Sequence, residues 1–404
     1  MTTTVNTFAT LRAAHPSWEA FKAHVTSEGG GALRVVENGS RYAAIRYVKG
    51  AITAPTEVGH FRSVIWDTVE HLPVCIAPFK AEKGGAPLNE ELTVSEFLDG
   101  FMMNAFVGVD GVLEVATRTC TGGGNTFYSE KTFGEMFDEA IANSPYKDRA
   151  GVVALLGGAG GFASFLLQHP DHRVVAKVQK PLLHLIHTGR VDADGVVTLV
   201  RPDAPPHAFK KTYATEQEIE EVMRRMGVQM GWRWQGLCFH DAAGRRWRLR
   251  SPTYSLLREL RGAEASGLDR FLRLRTEKRV SEYLKHYSED RATFWEFEQK
   301  LRLVTGGVLA AYNDCHKAHA VAFKALPEAV RPAVYMLHVK WLQELRPKGF
   351  VARLQNAVEV VNGLRAFEQR RLIEGGVYVP VAKPSAPAET SKIEPVPAEE
   401  GASV

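Results

Sequence analysis

The chain has 404 residues, 45% of them hydrophobic and 24% charged, with a formal net charge of +4. That length suits two domains and a tail, and the composition is that of a soluble globular protein. So mild a charge does not by itself demand a nucleic-acid partner, and no apolar run reaches the length of a membrane span.

Residues 1–30 read as an N-terminal extension. From Gly31 to about Leu260 the chain alternates short β-like runs with Gly and Asp punctuation: Tyr42–Val48, Ser63–Trp66, Val74–Phe79, Phe101–Val107, Leu113–Arg118, Ala163–Gln168 and Val174–Val178. Asp110-Gly111 marks a hairpin tip between two of them. Two amphipathic helices interrupt the strands, at Phe133–Ala142 and Glu216–Met226. After Tyr254 the period becomes helical, with segments at Glu277–Tyr287, Ala292–Thr305, Val308–Ala325, Ala329–Leu345 and Val351–Leu372. From Glu374 the chain turns rich in Pro, Ala and Glu and buries too little to order itself. The expected organisation is an extension (1–30), an α+β domain of antiparallel sheets (31–262), an all-α C-terminal domain (263–373) and a disordered tail (374–404).

The four cysteines, Cys75, Cys120, Cys238 and Cys315, form no C-x-x-C pair, which argues against a zinc ribbon or disulfide scaffold and for a reducing compartment. Cys315-His316 with His319 and His338 is a thin case for a metal, because sequence proximity does not establish convergence. The N-terminus lacks a signal pattern, so the expected location is the cytoplasm, with no membrane partner. Charge is unevenly spread: Arg245 to Arg275 holds nine arginines against Glu259, Glu264 and Asp269. Gly122-Gly123-Gly124 and Gly157–Gly161 read as turns and loops, since neither stands in the context of a phosphate-binding loop. His169, His184 and His187 read as satisfied half-buried histidines, and Trp232, Trp234 and Trp247 as strand core before base-stacking residues.

Seven segments form an ordered constellation: Phe61-Arg62-Ser63-Val64-Ile65-Trp66-Asp67; Ala77-Pro78-Phe79-Lys80 with Lys83; Phe97-Leu98-Asp99-Gly100; Thr117-Arg118-Thr119; Phe165 to Pro170 with Arg173-Val174-Val175; Gln235-Gly236-Leu237-Cys238; and Arg248-Leu249-Arg250. In this order they resemble the motifs of the phage-type and giant-virus-type ATP-dependent RNA ligases of the covalent nucleotidyltransferase superfamily. Tyr283 to Tyr287 and Leu345 to Lys348 resemble the C-terminal region of the large-DNA-virus members. The resemblance implies a ligase-type nucleotidyltransferase domain, a virus-encoded origin, ATP and Mg²⁺ as cofactors, and RNA ends as partners. In that family a lysine amine attacks ATP, the AMP passes to an RNA 5′-phosphate, and a 3′-hydroxyl displaces it.

The chain departs from this pattern where the chemistry is done. Phe97 stands at the nucleophile position, and Gln235 stands where a metal-handling carboxylate belongs. Lys80 and Lys83 are then the nearest candidate nucleophiles. Arg62, Asp99, Gly100, Arg118, Gln235, Arg248 and Arg250 are the expected nucleotide- or RNA-phosphate-binding set, with Asp99 placed to orient a basic side chain or a ribose hydroxyl. No metal ligands are assigned. Three readings stay open: an RNA-end or ATP binder that has lost self-adenylylation, an active ligase using a displaced lysine, and a non-catalytic interaction protein docking through its helical domain or tail.

Overall fold

The structure is a computed structural model that describes residues 2–39, 41–48, 57–84, 88, 92–202, 213 and 215–381. It divides into two compact units, 1–270 and 271–404.

The first unit is built on three sheets. The six-stranded sheet runs in the order β1 (Thr2–Val5), β12 (Val197–Val200), β11 (Leu182–Val191), β10 (Gly161–Gln168), β8 (Phe101–Val107) and β9 (Leu113–Ala116), every pair antiparallel. A four-stranded antiparallel sheet joins β2 (Arg34–Glu37), β3 (Tyr42–Arg46), β4 (Val64–Asp67) and β5 (Leu72–Ile76). The third sheet runs β6 (Glu82–Lys83), β14 (Arg246–Arg250), β13 (Gly236–His240) and β7 (Thr93–Glu96), with only the β6–β14 pair parallel. The α+β class with antiparallel sheets is thus the observed one.

Period-two alternation divides the cores. On β8 and β10, Met103, Ala105, Phe165 and Leu167 face α3 (Phe133–Ala142) and α4 (Arg149–Leu156), while Phe106 and Phe162 join the core of the second sheet. The α3 start carries a capping box between Thr132 and Glu135. Residues 2–26 are built into this unit: β1 closes the six-stranded sheet, and α1 (Thr7–Ala14) and α2 (Trp18–Thr26) bury Phe8, Phe21 and Val25, with Phe21 stacked on Trp66 at 4.2 Å. Exposing three such side chains would cost roughly 1.5–3 kcal/mol each, which is why this stretch packs. Helix α5 (Glu216–Met230) continues beyond the expected Met226 and packs Ile219 against Trp234, Leu237, Phe239 and Trp247.

One expected strand is absent. Val174–Val178 takes no strand conformation, because the Val175 and Ala176 amides donate to the Asp99 carboxylate and not to a neighbouring strand. Helices α6 (Pro252–Arg261) and α7 (Gly267–Thr276) follow β14.

The second unit is helical: α8 (Val280–His286), α9 (Arg291–His316), α10 (Arg331–Lys340) running into a π turn at Trp341–Leu345, α11 (Leu354–Gly363) and α12 (Ala366–Glu374). Two expectations are corrected here. Residues 292–316 form one helix, not two, across Gly306-Gly307; Gly307 lies against the backbone of Tyr378, so its missing side chain serves close approach. The stretch expected as one helix from Val351 to Leu372 is two, broken at Leu364-Arg365, and Gln369 donates to the Val361 and Leu364 carbonyls left over at the break. His316 and His338 stack at 3.9 Å with rings 9° from parallel, a geometry that cannot direct both lone pairs at one ion. Residues 375–381 lie along this unit, where Tyr378 Oη donates to Asp314; most of the expected tail, 382–404, falls outside the described residues. No helix among the described residues is long and apolar enough to cross a membrane.

Candidate functional site

Strand β14 has the sequence Arg-Trp-Arg-Leu-Arg. Alternation sends Trp247 and Leu249 into the core against α5 and puts Arg246, Arg248 and Arg250 together on the opposite face. Register adds their neighbours: His240, Cys238 and Gly236 on β13 stand opposite the three arginines, and Ser95 stands opposite Cys238. Phe97, just past β7, donates its amide to the Gly236 carbonyl at 2.8 Å. Gly236 is required there, since φ is +139° and a Cβ would run into the Leu249 carbonyl.

The second sheet and its loops bring further cations to this face. Arg62 donates to the Pro78 carbonyl at 3.2 Å, and Arg246 to the Phe79 carbonyl at 3.1 Å. Arg118 donates to the carbonyls of Arg62 (3.1 Å) and Tyr47 (3.4 Å) and lies 4.8 Å from the Tyr47 ring centre. Lys80 sits 5.8 Å from that same ring. The turn carrying Arg118 is held from below: Ser164 donates to Asn104, Asn104 to Ser63, and Ser63 to the Arg118 carbonyl. All three are buried.

The electrostatics follow from that crowding. Burial, followed by the charges of Arg246, Arg118 and Arg248, pulls Arg62 down to about 9. Burial and then Arg258 and Arg248 pull Arg250 down to about 10, and burial with Arg246 and Arg258 lowers Arg248. These groups remain charged at neutral pH. Among the described residues, none of Arg62, Arg118, Arg246, Arg248 and Arg250 forms an ion pair with a carboxylate. Such a face gains from an anion, and guanidinium forks suit phosphate oxygens.

The expected site residues therefore separate. Arg62, Arg118, Arg248 and Arg250 lie along one cationic face, and Lys80 borders it. Lys83 is exposed on β6, in register with Arg248. Phe97 is half-buried beneath Arg250, whose guanidinium lies 5.3 Å from the ring centre. Gln235 is buried, and the amide orientation that its neighbours' donors and acceptors assign has Nε2 donating to the Leu98 carbonyl (3.1 Å) and Oε1 accepting from Arg250 Nε and Nη2 (3.2 Å each). Its amide is thus spent on holding Arg250 and offers nothing to a divalent ion.

Asp99 holds three donors of the chain itself. It is buried, Oδ2 accepts from the Val175 and Ala176 amides at 2.9 and 2.8 Å, and Oδ1 accepts from Tyr254 at 2.6 Å. Burial, reinforced by the Asp99 charge, raises the Tyr254 hydroxyl, which keeps it a donor. With both oxygens occupied, Asp99 ties the 174–176 segment and α6 to the end of β7. Gly100 (φ +152°) completes that turn; a Cβ there would meet the Leu167 carbonyl at 2.5 Å. Among the described residues no group of three His, Cys, Asp or Glu is placed to hold a metal ion.

Sequence reasoning passed over Arg246, Tyr47 and the Ser63–Asn104–Ser164 relay. The Arg-x-Arg-x-Arg alternation on β14 was the available signal for Arg246; nothing in the sequence marks the others.

No family model and no curated protein matches the chain. Among solved structures it is similar to an archaeal ATP-dependent RNA ligase in two forms. Form 1 has a TM-score of 0.39 and 12% identity, covering 72% of this chain and 73% of that one. Form 2 has a TM-score of 0.38 and 12% identity, covering 74% and 82%. A putative ATP-dependent DNA ligase from Aquifex aeolicus gives 0.35 and 10%, covering 85% and 86%.

Proposed function

We propose that this is an RNA-ligase-like protein whose first unit binds the phosphates of an RNA 5′ end or of ATP on the β14 arginine face, and that it no longer adenylylates itself at position 97. The observation that carries the reading is the row Arg246, Arg248 and Arg250 with Arg62 and Arg118, five guanidinium groups without a carboxylate counter-ion among the described residues. Position 97 offers a phenyl ring under Arg250 in place of an amine, and the Gln235 amide is committed to the same arginine. These residues fit the phosphates of a nucleotide; they do not fit a divalent ion or a lysyl-adenylate at that point. The test is binding of 5′-phosphorylated against 5′-hydroxyl RNA. The double variant Arg248→Ala/Arg250→Ala is expected to lose the preference and to flatten the salt dependence by about one to two in log–log slope. Unchanged binding by the double variant would remove the site.

Lys80 favours a second reading, because its ammonium borders the arginine face over the ring that Arg118 also covers. There, Lys80 Nζ, deprotonated to the amine by loss of a proton to water, would attack the α-phosphorus of ATP, forming an N–P bond and releasing a second proton to water as pyrophosphate leaves with the Pα–O bonding pair. Incubation with α-labelled ATP and Mg²⁺ or Mn²⁺, with Phe97→Lys alongside, separates the two. Acid-labile, alkali-stable label on the native chain, lost in Lys80→Ala, establishes the second reading. Label on Phe97→Lys alone supports the first.

A further inference from the structure

At the His240–Arg246 end of the β13–β14 ladder lies a cavity of about 20 Å³, lined by Phe79, His187, Arg201, His240 and Arg246 among others. That volume has room for one water-sized or halide-sized species. His240 is only 9% exposed, and its Nδ1 has no partner; the buried Nε of Arg246 has none either. Arg246 has used its other nitrogens, Nη1 on the Phe79 carbonyl and Nη2 on Cys238 Sγ at 3.6 Å. That sulfur lies 3.4 Å from His240 Nε2. The Cys238 S–H can donate to Nε2, and in that tautomer the neutral ring carries its proton on Nδ1. His187 donates Nε2–H to the Ile76 carbonyl, and Arg201 donates to the Asp241 carbonyl. Burial and the charges of Arg246 and Arg201 keep the His240 ring neutral.

We propose that this cavity is a binding site for a single monovalent halide, chloride in the cell, held by Arg246 Nε–H and His240 Nδ1–H. A halide accepts from both donors at once and offsets the guanidinium field. The bound ion joins the β13–β14 hairpin to the Phe79 segment and fixes Arg246 at one end of the arginine row. The site is independent of whether RNA or ATP occupies that row.

The test uses the full chain. Crystals soaked in sodium bromide should show an anomalous peak between Arg246 and His240. In solution, the unfolding midpoint should rise saturably with sodium chloride relative to sodium gluconate at equal ionic strength, gluconate being too large to enter. His240→Phe should abolish that chloride-dependent rise, and Arg246→Gln supplies the same measurement if the first variant does not fold. A water in place of bromide overturns the proposal, as does a bromide peak without chloride-dependent stabilisation, which would mean an adventitious ion only.

Discussion

Replacing Asp99 distinguishes a residue that holds the fold from one that holds a ligand. Its carboxylate accepts from three donors, the Val175 and Ala176 amides and the Tyr254 hydroxyl, and is 7% exposed. In Asp99→Ala all three lose their acceptor inside the protein, and each buried donor left unsatisfied costs roughly 1–3 kcal/mol. The losses are not independent, because the three donors share one cavity that can relax or admit water, so the expected total is about 3–5 kcal/mol. That is a large share of the roughly 5–15 kcal/mol that holds a folded domain together. Asp99→Asn keeps an oxygen for the two amides and presents an N–H₂ group to Tyr254, for an expected loss of about 1–2 kcal/mol. Urea unfolding at pH 7, followed by tryptophan fluorescence, measures both through the shift in midpoint at unchanged m-value. A loss below about 1 kcal/mol for Asp99→Ala would refute the reasoning. A stable Asp99→Asn protein with weakened RNA or ATP binding would return Asp99 to the ligand.

Two further predictions concern charge and packing. Burial pushes His172 down to about 4 and His187 down to about 3. Below their ordinary value near 6.5 the unfolded chain binds protons that the folded chain refuses, so stability is complete above about pH 6.5 and falls toward pH 4. Each histidine contributes about 3 kcal/mol over that window. His172 packs among Phe101, Phe127, Tyr128 and Phe133, and its Nδ1 has no partner. His172→Phe should therefore fold and remove about one proton from the slope of stability between pH 5 and 6.5; an unchanged slope would contradict it. In α9, Gly306→Ala meets nothing within 4 Å and should stabilise by about 1 kcal/mol. Gly307→Ala would place a Cβ 2.9 Å from the Tyr378 amide nitrogen, so it should loosen residues 375–381 and speed their proteolysis despite the same gain in helix propensity. Equal behaviour of the two variants would mean that the close approach does not matter.

The sequence by itself determined the class of structure and the chemistry on offer. Strands such as Phe101–Val107 and the helix Phe133–Ala142 were legible to the residue, because alternation and the three-to-four spacing record which faces must leave water. That position 97 carries a phenyl ring and no amine was equally visible, since it depends on residue type alone. What only the tertiary structure decided was how hydrogen bonds and charges are shared between segments distant in the chain. Val174–Val178 carries a strand-like composition, yet its amides go to a carboxylate 76 residues away. Asp99 has the residue type of a ligand-binding group, but three donors from elsewhere occupy it. Arg246 became part of the site because Phe79 and Cys238 fold onto it, and residues 2–26 became core because Trp66 lies under Phe21. Local pattern reports each residue's preference for water or for a neighbouring turn. Partners for buried polar groups come from anywhere in the chain, and only the closed fold assigns them.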